Sequence, residues 1–66
     1  MKIIVNGEET SLPEDSNILD LVAELGFTNK RIAIEVNEAI IPKSKHQSYL
    51  LESLDRVEVI NAVGGG

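Results

Sequence analysis

Val57-Glu58-Val59-Ile60-Asn61 runs without a break into Ala62-Val63-Gly64-Gly65-Gly66. The first five residues alternate as a half-buried strand does, with Val57 and Val59 facing inward and Glu58 and Ile60 outward. The last three carry no side chains. A strand with one buried face is therefore continuous with a glycine tail, and the fold turns on what body that strand completes.

Upstream, Asp55-Arg56 turns the chain into this last strand. Leu50, Leu51 and Leu54 predict a single helical turn packing under a sheet. Residues 43–48, Lys-Ser-Lys-His-Gln-Ser, read as a polar loop after Pro42. Ala39-Ile40-Ile41 is a short strand, joined by a tight Asn37-Glu38 connection to a longer one over Arg31 to Asn37. There Ile32, Ile34 and Val36 share one face, and Arg31, Ala33, Glu35 and Asn37 the other. Before it comes a short helix of about nine residues. Asp15, Ser16 or Asn17 can cap its start, and acidic residues there suit the positive end of the helix dipole. Ile18, Leu21, Val22 and Leu25 form its apolar face, Asp20 and Glu24 its solvated face, and Gly26 stands where a helix closes in the left-handed conformation. The chain begins with Lys2-Ile3-Ile4-Val5-Asn6, then Asn6-Gly7, a strong hairpin signal. Glu8 to Leu12 returns as a second strand until Pro13 removes a ladder donor.

The order is hairpin, helix, strand, strand, short turn, strand. It predicts an α+β fold: a mixed sheet of four to five strands with one main helix packed across it. The last strand lies centrally beside the first, and that pair can be parallel because far more than a dozen residues intervene. This is the β-grasp arrangement seen in ubiquitin. The whole chain, 1–66, reads as one such domain, with a flexible tail over 63–66.

Composition narrows the functions. With 66 residues, a domain buries only about 60% of its unfolded surface and has little space for a deep private active site. A net charge of −5 argues against nucleic acid, which is bound through Lys and Arg, and against an anionic membrane. It suits docking on a basic face of a partner protein. There is no Cys, so no disulfide, thiol nucleophile or Cys-based metal site. Met1-Lys2-Ile3-Ile4-Val5-Asn6-Gly7 is no signal peptide, and no stretch is long enough to span a bilayer. The expected location is the cytoplasm. His46, the single histidine, has Ser44 and Ser48 nearby but no acidic partner in its loop, so it reads as a solvated loop residue. No metal set and no catalytic constellation is visible. Asn6-Gly7 lacks the glycines and Lys of a phosphate loop.

The tail remains. Glycines admit a close approach of backbone to backbone. An extended chain covers roughly 3.3–3.6 Å per residue, so Val63 to Gly66 reaches on the order of 10–14 Å beyond the body. A partner with a narrow channel could draw in the terminal carboxylate. The plain alternatives are a frayed end or an expression remnant.

The residues that carry a family likeness are Val5-Asn6-Gly7, the Ser16-to-Gly26 segment with Leu21 and Leu25, Asp55-Arg56-Val57-Glu58-Val59-Ile60, and Ala62-Val63-Gly64-Gly65-Gly66. On these the whole chain resembles the sulfur carrier family of thiamine biosynthesis, within the ubiquitin-like β-grasp group. The resemblance implies a carrier that is not itself an enzyme and binds no cofactor. An adenylyltransferase of the ubiquitin-activating type would use ATP to adenylate the Gly66 carboxylate. A persulfide-bearing sulfur donor protein would then convert it to a thiocarboxylate, and a thiazole synthase would take the sulfur. Gly64 and Gly65 would give backbone access, Val63 and Ala62 would seat the base of the tail, and Ile60 could extend the docking surface. The alternatives are the small subunit of molybdopterin synthase, a ubiquitin-like modifier joined to lysines through Gly66, or an interaction domain with an idle tail.

Overall fold

The computed structural model describes residues 1–61. Strands β1 (Lys2–Val5) and β2 (Glu8–Ser11) form an antiparallel hairpin. Its turn holds Asn6 at φ 49° and Gly7 at φ 84°, the pair of left-handed residues that a type I′ turn needs.

Helix α1 (Ile18–Glu24) follows. Of the candidate caps, Asn17 does the capping: its Oδ1 accepts from the Asp20 N–H at 2.8 Å, and Asp20 Oδ2 accepts from the Asn17 N–H at 2.9 Å. This reciprocal pair is a capping box. Ser16 turns inward instead, and its hydroxyl donates to the Pro13 carbonyl at 2.7 Å. At the other end Gly26 sits at φ 77°. Its N–H donates to the Ala23 carbonyl and that of Phe27 to the Val22 carbonyl, the Schellman pattern. These two caps limit the helix to 7 residues, shorter than the apolar spacing suggested.

Strands β3 (Ile32–Val36), β4 (Ala39–Ile41) and β5 (Arg56–Asn61) complete a five-stranded sheet in the order β2-β1-β5-β3-β4. β5 runs parallel to β1 and antiparallel to β3. The last strand is thus central, and the fold is the ubiquitin-like β-grasp. Ile18, Leu21 and Val22 of the helix meet Ile3, Val5, Ile34, Val36 and Val57 of the sheet in one core, closed by Leu12 and Leu51. Burying each such side chain contributes about 1.5–3 kcal/mol.

Two expectations fail between β4 and β5. His46 is not solvated: it is only 4% exposed, and its Nε2 lies 3.0 Å from the Ile41 carbonyl oxygen. A carbonyl can only accept, so Nε2 carries the proton of this bond. The ring pins a single 3₁₀ turn, Lys43–Lys45, against the body; a polar loop sequence concealed an internal anchor. Nor do Leu50, Leu51 and Leu54 form a helical turn. The segment is extended along the helix start, with Ile18 N–H donating to Tyr49 and Leu51 N–H to Ser16, and Leu50 bridging to Asn17. Extended chain alternates its faces, so Leu51 enters the core while Leu50 is 56% exposed. Leu54 stands at φ 69° and is 69% exposed.

Candidate functional site

β5 crosses two environments. Its first half is enclosed: Val57 is buried between β1 and β3. In its second half β3 continues alongside, with Ile34 opposite Val59, Ala33 opposite Ile60 and Ile32 opposite Asn61. β1 does not continue, because the chain turns at Asn6. The Asn6 side chain takes over. The Asn6 N–H donates to the Val57 carbonyl at 2.9 Å, and Asn6 Oδ1 then accepts the Val59 N–H at 2.9 Å. An amide oxygen thus fills the place in the ladder where a longer β1 would offer its own carbonyl. Past Val59, only β3 still pairs with the strand.

Directly opposed residues share a face of an antiparallel pair, so the outer surface of the sheet can be read from its register. Ile60 lies beside Ala33, Glu58 beside Glu35, and Glu35 beside Ile40. Ile60 is 46% and Ile40 70% exposed. Two large apolar side chains therefore stand on a sheet face shared with Glu35, Glu58 and Arg56, Ile60 near the end of β5. A shallow cavity at the strand's end is lined by Asn6, Phe27, Lys30, Ile32, Val59 and Asn61.

Of the residues singled out from sequence, Ile60 is where the alternation put it. Ala62, Val63, Gly64, Gly65 and Gly66 lie outside the described residues. Sequence reading missed Ile40, although Ala39-Ile40-Ile41 is too short a strand for two adjacent isoleucines to face the same way. It also missed the second role of Asn6. Among the described residues no group of three His, Asp or Glu side chains is placed to hold a metal ion. No described helix is long and apolar enough to cross a membrane.

A carboxyl-proximal strand, half locked and half accessible, feeding a glycine tail, is the geometry to compare with known proteins. The model of the ThiS family matches residues 2–66. This chain belongs to the ThiS family. The sulfur carrier protein ThiS of Bacillus subtilis is 33% identical over 63 residues, covering 94% of this chain and 96% of that one. A thiazole synthase of Paramagnetospirillum magneticum is 33% identical over 66 residues. The match takes in 100% of this chain but 20% of the synthase, so the chain spans about a fifth of that relative's length. In three dimensions the crystal structure of the thiamine biosynthesis protein ThiS from Geobacter metallireducens superposes with a TM-score of 0.85 at 23% identity, each chain covered in full. At that identity the likeness speaks for the ThiS fold.

Proposed function

We propose that this chain is a sulfur carrier of thiamine biosynthesis, working in the cytoplasm, whose Gly66 carboxylate is the loading point. The observation that carries the reading is the match of the ThiS family from residue 2 to residue 66, tail included, on a body that holds β5 by its first half and leaves Ile60 and Asn61 accessible.

A carboxylate resists nucleophiles because it is already negative. An adenylyltransferase of the ubiquitin-activating type removes that obstacle. The Gly66 carboxylate oxygen attacks the α-phosphorus of ATP, pyrophosphate leaves, and an acyl-adenylate forms. The terminal sulfur of a persulfide on a donor protein attacks the acyl carbon, and AMP leaves with the electrons of the C–O bond. A thiol then cleaves the remaining S–S bond, supplying two electrons, and the sulfur stays on Gly66 as a thiocarboxylate. Thiazole synthase accepts that sulfur. A polypeptide named thiazole synthase that contains a stretch similar to this entire chain supports the pairing of carrier and synthase. Gly64 and Gly65 let the backbone enter a narrow channel, and Ala62, Val63 and Ile60 seat the base of the tail. ATP belongs to the partner, and so does catalysis: the chain is a co-substrate.

Intact-mass measurement of protein from cells with a working sulfur pathway tests this. The expected result is replacement of one oxygen by one sulfur at Gly66. An isopeptide adduct would make the chain a modifier, and an unmodified terminus would leave the tail without this role. Rescue of a thiamine auxotroph, and not of a molybdenum-cofactor auxotroph, is expected. Deletion of Gly66 leaves the fold unchanged and abolishes carrier-dependent ATP–pyrophosphate exchange; exchange that survives the deletion would overturn the proposal.

A further inference from the structure

The charges of this acidic protein are segregated. All 11 acidic residues lie outside two stretches, 25–34 and 39–51, while these hold Lys30, Arg31, Lys43 and Lys45, four of the 6 basic residues. The fold brings the two stretches together. Lys30 and Lys43 line one small niche with Leu19, Phe27, Ile32 and His46. His46, buried on the Ile41 carbonyl, fixes the 3₁₀ turn that carries Lys43 and Lys45. All four cations are exposed, and among the described residues none of them forms an ion pair; the ion pairs found are Met1 with Glu14 and Lys2 with Glu9. The corner also adjoins the root of the tail, because Lys30 and Asn61 line the same cavity and Arg31 precedes Ile32, the partner of Asn61 in the sheet.

Among the described residues no ion pair uses these charges. Like charges gathered on one corner repel at short range, within a Debye length of roughly 8 Å, and among the described residues no carboxylate pairs with them. An external carboxylate surface would. We propose that Lys30, Arg31, Lys43 and Lys45 dock an acidic surface segment of the adenylating enzyme, at the rim of the channel that takes up the tail. The half-exposed Leu19 and the Phe27 and Ile32 side chains give that segment an apolar seat between the cations. The same segregation sets orientation. The other faces carry all 11 carboxylates against only Lys2 and Arg56, so like-charge juxtaposition opposes approach through them. The carrier therefore meets its partner with the tail root forward. This inference rests on the carrier reading above and names the surface chemistry its partner must present.

The test uses the full chain and the adenylating enzyme, reading ATP–pyrophosphate exchange against carrier concentration at low and high ionic strength. For Lys30→Glu/Lys43→Glu the expected result is a KM raised about tenfold at low salt with kcat unchanged, and a salt dependence that flattens or reverses, as loss of complementary rim charge requires. Lys30→Arg/Lys43→Arg restores wild-type behaviour. Lys2→Gln, a charge lost outside the corner, keeps the wild-type KM; a rise equal to that of the double variant would mean that net charge alone governs, and would overturn the proposal. Wild-type KM and salt slope in Lys30→Glu/Lys43→Glu would overturn it too, while wild-type exchange left the carrier role standing. If the wild-type chain supports no exchange, both fall together.

Discussion

Two hairpin turns hold the two ends of β5, and they do so by the same device with different second residues. Asn6-Gly7 joins β1 to β2; Asn37-Glu38 joins β3 to β4. Both asparagines stand in the left-handed region, at φ 49° and 51°. Both point their side-chain oxygen at β5: Asn6 Oδ1 accepts the Val59 N–H at 2.9 Å, and Asn37 Oδ1 accepts the Arg56 N–H at 3.0 Å. Both also donate their own N–H to β5, Asn6 to the Val57 carbonyl at 2.9 Å and Asn37 to the Arg56 carbonyl at 2.7 Å; among the described residues Asn37 alone adds a further bond, from Nδ2 to Asp55 Oδ1 at 3.0 Å. The entry of the strand thus lies between β1 and β3 with one side-chain bond more, while past Val59 β3 alone pairs with it. The contrast suits a carrier. The strand is paired on both sides where it enters the sheet and on one side where it leaves.

If the core rather than the turns fixes the strand, the largest loss comes from beneath it. Ile34 is fully buried and lies opposite Val59. Ile34→Ala is expected to cost about 2–5 kcal/mol, enough to bring a domain of this size close to unfolding. Urea denaturation checks it. A loss below about 1 kcal/mol would assign the strand's placement to the turns instead.

The asparagines come next. Asn37→Gly and Asn6→Gly keep the left-handed backbone and remove only the side chain. Each is expected to cost about 1–2 kcal/mol, from lost hydrogen bonds and the greater freedom of unfolded glycine. They differ in location. In Asn6→Gly, amide exchange should quicken at Val59, Ile60 and Asn61; in Asn37→Gly it should quicken at Arg56 and Val57 and spare Ile60. Equal effects along the whole strand would show that the two ends are not held separately.

The two turns also mark how far the sequence could be read. Asn6-Gly7 announces a hairpin because both residue types favour positive φ, and the alternation of Ile32, Ile34 and Val36 announces a strand. Those local signals, with the count of intervening residues, were enough to place β5 in the centre of the sheet. What stayed hidden has no local signal. His46 sits among Lys, Ser and Gln, and only the carbonyl of Ile41 across the fold makes it an interior residue. Leu50, Leu51 and Leu54 have helical spacing, yet pairing with the start of α1 draws the segment out. The oxygen of Asn6 is bound 53 residues away in sequence. At the site, Ile60 could be placed by alternation, whereas the basic corner needed the 30–31 and 43–45 stretches brought together in space.

The second residues of the turns give the smallest effect and the clearest sign. Gly7 at φ 84° has open space where a Cβ would stand, so Gly7→Ala costs only the backbone conformation, about 1 kcal/mol. Glu38 already bears such a cost at φ 73°. Its side chain is exposed and makes no hydrogen bond or ion pair among the described residues. The left-handed conformation disfavours a non-glycine residue by about 1–2 kcal/mol, and glycine's extra freedom in the unfolded chain returns about 0.5–1 kcal/mol of that. Glu38→Gly should therefore stabilise the protein by about 0.5–1 kcal/mol, a rise of roughly 2–8 °C in Tm for a domain of this length. Opposite signs at equivalent positions would confirm that Asn supplies the grip in both turns and the second residue supplies only the bend. A fall in Tm on Glu38→Gly would mean that the Glu38 side chain itself holds the β3–β4 turn, and the likeness between the two clamps would end at their asparagines.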